Sequence, residues 1–481
     1  MTDFTLFWHD YETWGADPRR DRAAQFAGVR TDVDFNAVDD PVVLYCRPPD
    51  DRLPSPEACL VTGLTPQEVR ARGVPEAEFF AAIEAQLSRP QTCTLGYNSM
   101  RFDDEVTRFG LYRNFFDPYA REWKNGNSRW DMIDVVRLTR ALRPEGIEWP
   151  VREDGAPGFR LEDLTAANGI EHSGAHDALA DVHATIAMAR LVRDRQPRLY
   201  RYLFENRGKK AAADLLDLRR RQTVLHVSRR IPARLGCISP VIPLARHPHN
   251  SNSVICYDLR HDPEPLLSLA PEAVRERLFT PLEALAEGER RIGLKEIHIN
   301  HCPVLVPTNT LTSVAEKEWA LDMDAAAAHR QQLLAAADLE AKLTQVFTRD
   351  RPADELVDPD FALYDGFISD ADRRRSDQVR ALSPERLRGF DPGFEDPRLE
   401  SLLFRYRARN WPETLGRGER ERWEVERRER ISSAEGRGRT LEAYRRDLSR
   451  LVVDTALSAS DRTLLDALLD WPAEIGLDNG S

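Results

Sequence analysis

Thr5-Leu-Phe-Trp-His-Asp10-Tyr-Glu12-Thr13 begins as an apolar, aromatic run with strand character and then sets two carboxylates two residues apart. Side chains alternate across a strand, so Asp10 and Glu12 share a face with Leu6 and Trp8. Two like charges held there are costly to desolvate, and a cation or a shared proton must offset the repulsion. Magnesium or manganese suits a pair of hard oxygen donors. A strand that simply ends in a polar loop, with both carboxylates solvated, also accounts for this stretch. Further carboxylates converging from elsewhere in the chain are needed to decide.

The chain has 481 residues, too many for one core, and roughly two to four domains are expected. Hydrophobic residues make up 41% and charged residues 31%, and no apolar run reaches membrane-spanning length, which predicts a soluble protein with no membrane partner. The N-terminus carries an early acid and no basic segment leading into an apolar one, so no secretion signal is expected. Cys46, Cys59, Cys93, Cys237, Cys256 and Cys302 are scattered without a CxxC pair, which predicts reduced thiols and a cytoplasmic location. A formal charge of -12 argues against wholesale coating of nucleic acid but leaves room for a local basic groove.

After the opening strand the chain reads as a loop rich in charge, Gly and Pro until a second apolar run, Pro41-Val-Val-Leu-Tyr-Cys46. Thr65 then N-caps a helix with Pro66 in its first position. A helix over 76–87 and a short strand over 92–97 follow. This alternation predicts an α/β sheet for about the first two hundred residues, and such sheets place their sites at strand ends. Asn98-Ser-Met-Arg-Phe102-Asp103-Asp104-Glu105 leaves the last of these strands and enters a helix. Capping and the helix dipole account for Asp104 and Glu105. Asp103, at the C-terminal end of a strand, is the better candidate ligand.

Aromatic and basic side chains interleave from Tyr97 to Arg137, among them Arg108, Tyr119, Trp123 and Arg137. Rings that stack on bases beside cations that hold phosphates are what a single-strand groove requires. About half of these rings, Phe115 and Trp130 included, read as core. Downstream, Leu179, Val182, Ile186 and Ala189 recur at helical spacing as a buried stripe, with Asp181 off it. His176 and Asp181 would be rotated by about 140° on one helix, so they share a site only if His176 sits in the loop ahead of it.

Asp10-x-Glu12, Asn98-x-x-x-Phe102-Asp103 and His176-x-Ala178-x-x-Asp181 resemble the three motifs of the DEDDh 3′→5′ exonucleases, whose fold is ribonuclease H-like. Strings between them, such as Phe102-Asp-Asp-Glu-Val-Thr-Arg108, Arg143-Pro-Glu-Gly146 and Gly169-Ile-Glu-His172-Ser, and Tyr406-Arg-Ala-Arg-Asn410 far downstream, resemble the bacterial exodeoxyribonuclease I family over nearly the whole chain. That resemblance implies a ribonuclease H-like α/β exonuclease domain over 1–196, an SH3-like β-containing domain over 197–349 and a helical C-terminal domain over 350–481. A C-terminal domain that closes a channel too narrow for duplex is implied as well. Alanine-rich helix over 325–346, a linker from Arg351 to Pro359 and an exposed, mixed-charge helix around Trp423 are read from the residues.

The resemblance implies processive release of deoxynucleoside 5′-monophosphates from the free 3′ end of single-stranded DNA by a monomer acting in DNA repair and recombination. Asp10, Glu12 and Asp181 would hold one Mg2+, and Asp10 with Asp103 a second, Mn2+ substituting. His176 is the general base toward the attacking water, a role an imidazole suits. Arg160 would steady the terminal phosphate. Thr62, Lys209, Asn252, Lys295 and Asn300 join Glu12, Arg108, Tyr119, Trp123 and Arg137 as strand contacts. Clusters such as Arg219–Arg221 and Arg290-Arg291 read as solvated faces or an extension of the groove. Arg143 and Tyr202 match a dock for the acidic C-terminal tail of single-stranded-DNA-binding protein, although Pro307 and Thr312 stand where a polar and a basic side chain are expected. A non-catalytic clamp on 3′ ends is the alternative. A shorter oligoribonuclease or proofreading subunit would leave about 280 residues unexplained.

Overall fold

A computed structural model describes residues 4–172, 174, 176–281, 284–285, 289, 291–348, 358–433 and 438–477. Arg290 and most of the Arg351–Pro359 linker lie outside the described residues, as does the boundary between 349 and 350. The chain forms two compact units: Met1–Ser128 with His172–Ile186 and Asp354–Ser481, and Arg129–Glu171 with Ala187–Ala353.

In the first unit β1 (Thr5–Thr13), β2 (Ala23–Thr31), β3 (Val42–Tyr45) and β4 (Thr92–Gly96) lie in the order β3-β2-β1-β4. β1 runs antiparallel to β2 and parallel to β4. The stretch holding β2 reads as loop in the sequence, and the structure corrects this: all nine residues of Ala-Ala-Gln-Phe-Ala-Gly-Val-Arg-Thr are buried strand. With both faces covered, such a strand shows no alternation of apolar and polar residues. Period two holds along β1, where Phe7 and Tyr11 join Phe26, Phe79, Phe80 and Val106 in one core, while Trp8 packs edge-on against Phe35. The helices Glu76–Leu87 and Asp103–Arg113 supply much of that core. Thr65 caps Pro66–Arg72 as expected, its Oγ1 accepting the Glu68 N–H at 3.2 Å.

The described part of this unit's C-terminal segment holds helices joined by loops, with no strand. Leu441–Val452 and Ala459–Glu474 bury Tyr444, Leu448, Leu468 and Trp471 against Trp14, Leu53 and Val69. Pro397–Asn410 brings Leu399, Leu402 and Tyr406 to Phe109, Tyr112 and Phe115. The helix Arg417–Ser432 departs from the exposed helix its charges predict: Arg427 and Arg430 are buried. Arg430 reaches Asp51, Asp358 and Asp360, and Asp360, fully buried, is shared with Arg22, Arg52, Arg405 and Arg409.

β5 (Ser128–Asp131) carries the chain toward the second unit. That unit holds β6 (Val224–Val227), β7 (Ile238–Arg246), β8 (Ser253–Asp258), β9 (Leu294–His298) and β10 (Leu305–Pro307), ordered β10-β6-β7-β8-β9 with every pairing antiparallel. The helices Met323–Ala335 and Leu339–Phe347 cover it through Leu333, Leu343 and Val346. The helical reach expected from Leu199 to Arg221 is two shorter helices, Pro197–Glu205 and Lys209–Leu215. No helix among the described residues is long and apolar enough to cross a membrane.

Candidate active site

Four of the five side chains singled out by the acidic motifs and His176 are carboxylates, and the first unit brings them together. β1 delivers Asp10 and Glu12 from one face, opposite Ala27 and Gln25 of β2. β4 ends at Gly96, where a Cβ would lie 2.7 Å from the His9 carbonyl oxygen, so only glycine allows so close an approach to β1. The chain then turns through Asn98, with φ +63°, and enters the helix Asp103–Arg113. Its first residue, Asp103, is buried, and its Oδ1 accepts the Tyr11 N–H at 3.1 Å, between the two strand carboxylates. The helix Ala178–Arg195 supplies Asp181. One carboxylate oxygen from each of Asp10, Glu12 and Asp181 lies within 4.8 Å of the others.

Burial and mutual repulsion raise these acids. Asp10 is pushed well above the usual carboxylate range by burial first, then by Asp103, Glu12, Asp181 and Asp177. Glu12 rises to about 9 through burial, then Asp181, Asp103 and Asp177. Asp181 also rises through burial, opposed by its hydrogen bond to His172 and the charges of His172 and His176. An all-oxygen donor set this crowded with negative charge fits a hard divalent cation, which would replace the protons.

His176 sits in the turn ahead of the helix Ala178–Arg195, half-buried and with φ +68°. This is the loop placement the spacing requires. Of the Ser173-Gly174 lead, Ser173 lies outside the described residues. Two further side-chain contacts at the site escape a reading of the sequence. Gln25 of β2 donates from Nε2 to Asp177 Oδ2 at 3.2 Å and accepts the Ala178 N–H at 3.4 Å, fastening the start of that helix to the sheet. His172 Nε2 lies 2.5 Å from Asp181 Oδ1. In the sequence His172 is marked only by the family-like string Gly169-Ile-Glu-His172-Ser, and nothing marks Gln25.

Asp104 and Glu105 lie in the first helical turn as the dipole favours, but neither side chain caps the helix. Asp104 is buried against Arg121 Nη2 at 2.6 Å, and Glu105 bonds Arg108 at 2.6 Å and the Tyr364 hydroxyl at 2.7 Å. Arg108 is buried, and Glu122 takes its Nε at 2.7 Å and Nη2 at 3.0 Å. Its guanidinium lies over the half-buried Tyr119 ring at 5.5 Å. Trp123 is 63% exposed, with the Lys124 ammonium 5.7 Å from its ring. Thr62 is half-buried at the end of the helix Pro56–Thr62. Phe115 and Trp130 are core, as read.

The remaining candidates belong to the second unit. Arg160 and Lys209 are exposed. Arg137 is buried, bonded to Asp134 at 2.6 Å and stacked on Phe159. Asn252 and Asn300 are half-buried beside β8 and β9, the Asn300 carbonyl accepting Arg129 Nη2 at 3.1 Å. Lys295, on β9, is lowered to about 8 by burial, partly offset by Asp258. Arg143 donates to the Thr310 carbonyl at 3.1 Å, and Tyr202 is half-buried. Thr312, where a basic residue is expected, caps Ser313–Glu318 by accepting the Ala315 N–H.

Comparison with known proteins matches an Exonuclease family model over residues 7–189, an Exonuclease I SH3-like domain over 207–349 and an Exonuclease I C-terminal domain over 357–475. Exodeoxyribonuclease I of Escherichia coli (strain K12) is 47% identical over 471 residues, 98% of either chain. A moderately thermophilic Exonuclease I from Methylocaldum szegediense superposes with a TM-score of 0.94 at 52% identity, covering 98% of this chain and 99% of that one. E. coli Exonuclease I, at 46% identity over 98% of this chain and 100% of its own, superposes at 0.94 with a dA16 oligonucleotide and at 0.93 as a zinc-bound single-stranded DNA complex, and an SSB/Exonuclease I complex with the inhibitor CFAM superposes at 0.91. With an exonuclease domain, an SH3-like domain and a helical C-terminal region each matched in order, the chain belongs to the exodeoxyribonuclease I family.

Proposed function

We propose that this chain degrades single-stranded DNA from a free 3′ end, processively and as a cytoplasmic monomer, releasing deoxynucleoside 5′-monophosphates. The observation that carries this reading is the meeting of Asp10, Glu12 and Asp181 within 4.8 Å, with Asp103 anchored beside them on the Tyr11 N–H. Buried like charges are unfavourable unless a cation is to be held. The oligonucleotide-bound relatives supply the substrate class, and six free thiols, five of them buried, suit a reducing compartment. We read three domains, 1–196, 197–349 and 350–481, and a place in DNA repair and recombination.

A divalent ion is the resident cofactor; Mg2+, with Mn2+ as a substitute and two per site, would supply Lewis-acid stabilisation of the charge that develops on the scissile phosphate. Asp10, Glu12 and Asp181 would hold one ion and Asp10 with Asp103 the other. Asp103 keeps its orientation through the Tyr11 N–H, which its Oδ1 accepts. His176, in the turn ahead of Asp181, takes the proton from the attacking water. Trp123 and Tyr119 stack on bases, Arg160 and Lys209 meet phosphates, and Thr62, Arg137, Asn252, Lys295 and Asn300 line the strand's path. Arg108 contributes by holding Tyr119 rather than by direct charge. Arg143 and Tyr202 receive the acidic C-terminal tail of single-stranded-DNA-binding protein.

The test is release of mononucleotides from 3′-labelled single-stranded DNA, duplex DNA and RNA, with Mg2+ or with chelator. Rapid release from single-stranded DNA alone, abolished by chelator, is the expected result. Binding without release at any metal concentration would instead establish a 3′-end clamp.

A further inference from the structure

We propose that His172 is a positioning residue of the metal centre, donating its Nε2–H to Asp181 so that this carboxylate is already oriented toward Asp10 and Glu12 before an ion arrives. His172 stands in the segment between the helices Leu161–Ala167 and Ala178–Arg195, four residues before His176. Its Nε2 lies 2.5 Å from Asp181 Oδ1, its side chain is 6% exposed and that of Asp181 is 19% exposed. The two histidines therefore divide the labour. His176, in the turn, is the proposed base; His172, packed away from solvent, acts through Asp181.

The physical need is specific. Asp10 and Glu12 ride on a strand inside a sheet, and Asp103 is fixed by a backbone N–H. Asp181 comes from the first turns of a helix whose preceding segment is irregular, and two groups of that segment hold its carboxylate, the His176 backbone N–H and the His172 imidazole. A carboxylate bonded at one oxygen has its rotation restricted while both oxygens keep lone pairs for a cation. Outer partners of this kind typically govern metal affinity by about 10- to 100-fold. This inference rests on the exonuclease reading for the role of the site, but its test does not depend on turnover alone.

In the full-length protein without DNA, calorimetric titration with Ca2+ should show His172→Ala binding about tenfold more weakly than wild type, and His172→Gln, whose amide N–H can replace the donor, recovering most of the affinity. In parallel, His172→Ala should need about tenfold more Mg2+ for half-maximal activity while kcat at saturating Mg2+ stays within about threefold of wild type. His176→Ala should lose kcat at every Mg2+ concentration. Unchanged Ca2+ affinity in a His172→Ala protein that melts like wild type would overturn the proposal, as would tighter Ca2+ binding, which would mean that His172 competes with the ion. Loss of kcat at saturating Mg2+ with unchanged Ca2+ affinity would also overturn it. A wild type that releases no nucleotide yet shows the Ca2+ shift would sink the exonuclease reading and leave the positioning role standing.

Discussion

Asp103 is the side chain whose role separates most sharply from binding. It is buried at a helix start and held by the Tyr11 N–H, so truncation should leave fold and strand contacts in place. Asp103→Ala is expected to lower hydrolysis of single-stranded DNA by at least about a hundredfold while changing its dissociation constant only a few-fold; equal loss of both, by gel shift and product assay, would count against the assignment. Glu12 makes a second prediction through its titration. Its carboxyl is raised to about 9 from an ordinary 4.5, so metal-free folded protein keeps a proton that the unfolded chain gives up. Stability from this group is complete below pH 4.5 and is lost as pH rises toward 9. Glu12→Gln should therefore melt progressively higher than wild type between these limits in chelator, by roughly 2–4 °C for each kcal/mol relieved, and a saturating divalent ion should cancel or reverse the difference. Calorimetry across pH with and without metal checks the sign. Period two puts Asp10 and Glu12 on one face, but it is the resemblance of all three motifs to the DEDDh exonucleases that makes Asp10, Glu12, Asp103 and Asp181 legible as one set. His172 and Gln25 were not legible as site residues, since what they do depends on which loop lies beside which strand.

At the scale of elements, the sequence is clearest where burial is one-sided. The alternation in β1, the cap at Thr65 and the helix Glu76–Leu87 stand where they are read. β2 was hidden because it is buried on both faces and rich in small residues, and the charge pattern of Arg417–Ser432 misleads because its partners are distant in sequence. Arg427 and Arg430 look like half of an exposed i, i+4 ladder, yet Arg430 pairs with Asp358 and Asp360. Five guanidiniums share Asp360, and their pull holds its carboxyl well below the ordinary range despite burial. Asp360→Ala would leave those cations uncompensated in the interior. It should cost about 3–5 kcal/mol of stability, read from the urea midpoint at neutral pH; a loss under about 1 kcal/mol would show that the network is not what ties the C-terminal helices to the first sheet.

For the whole molecule, a formal charge of -12 and a nucleic-acid substrate are reconciled by placement rather than by total charge. Exposed Lys209 and Arg160 are charges available to phosphates, whereas Arg108 is already neutralised by Glu105 and Glu122. Lys209→Ala should lower the salt slope of single-strand binding by about 0.7 in log–log terms, and Arg108→Ala should not change it directly; fluorescence-anisotropy titrations over a salt series distinguish the two. The most direct measurement of the central claim is the location of Mn2+ by anomalous diffraction from crystals of the unmodified protein. An anomalous peak about 2.0–2.2 Å from carboxylate oxygens of Asp10, Glu12 and Asp181 is the result this account predicts; a peak bound elsewhere, or none at millimolar Mn2+, would contradict it.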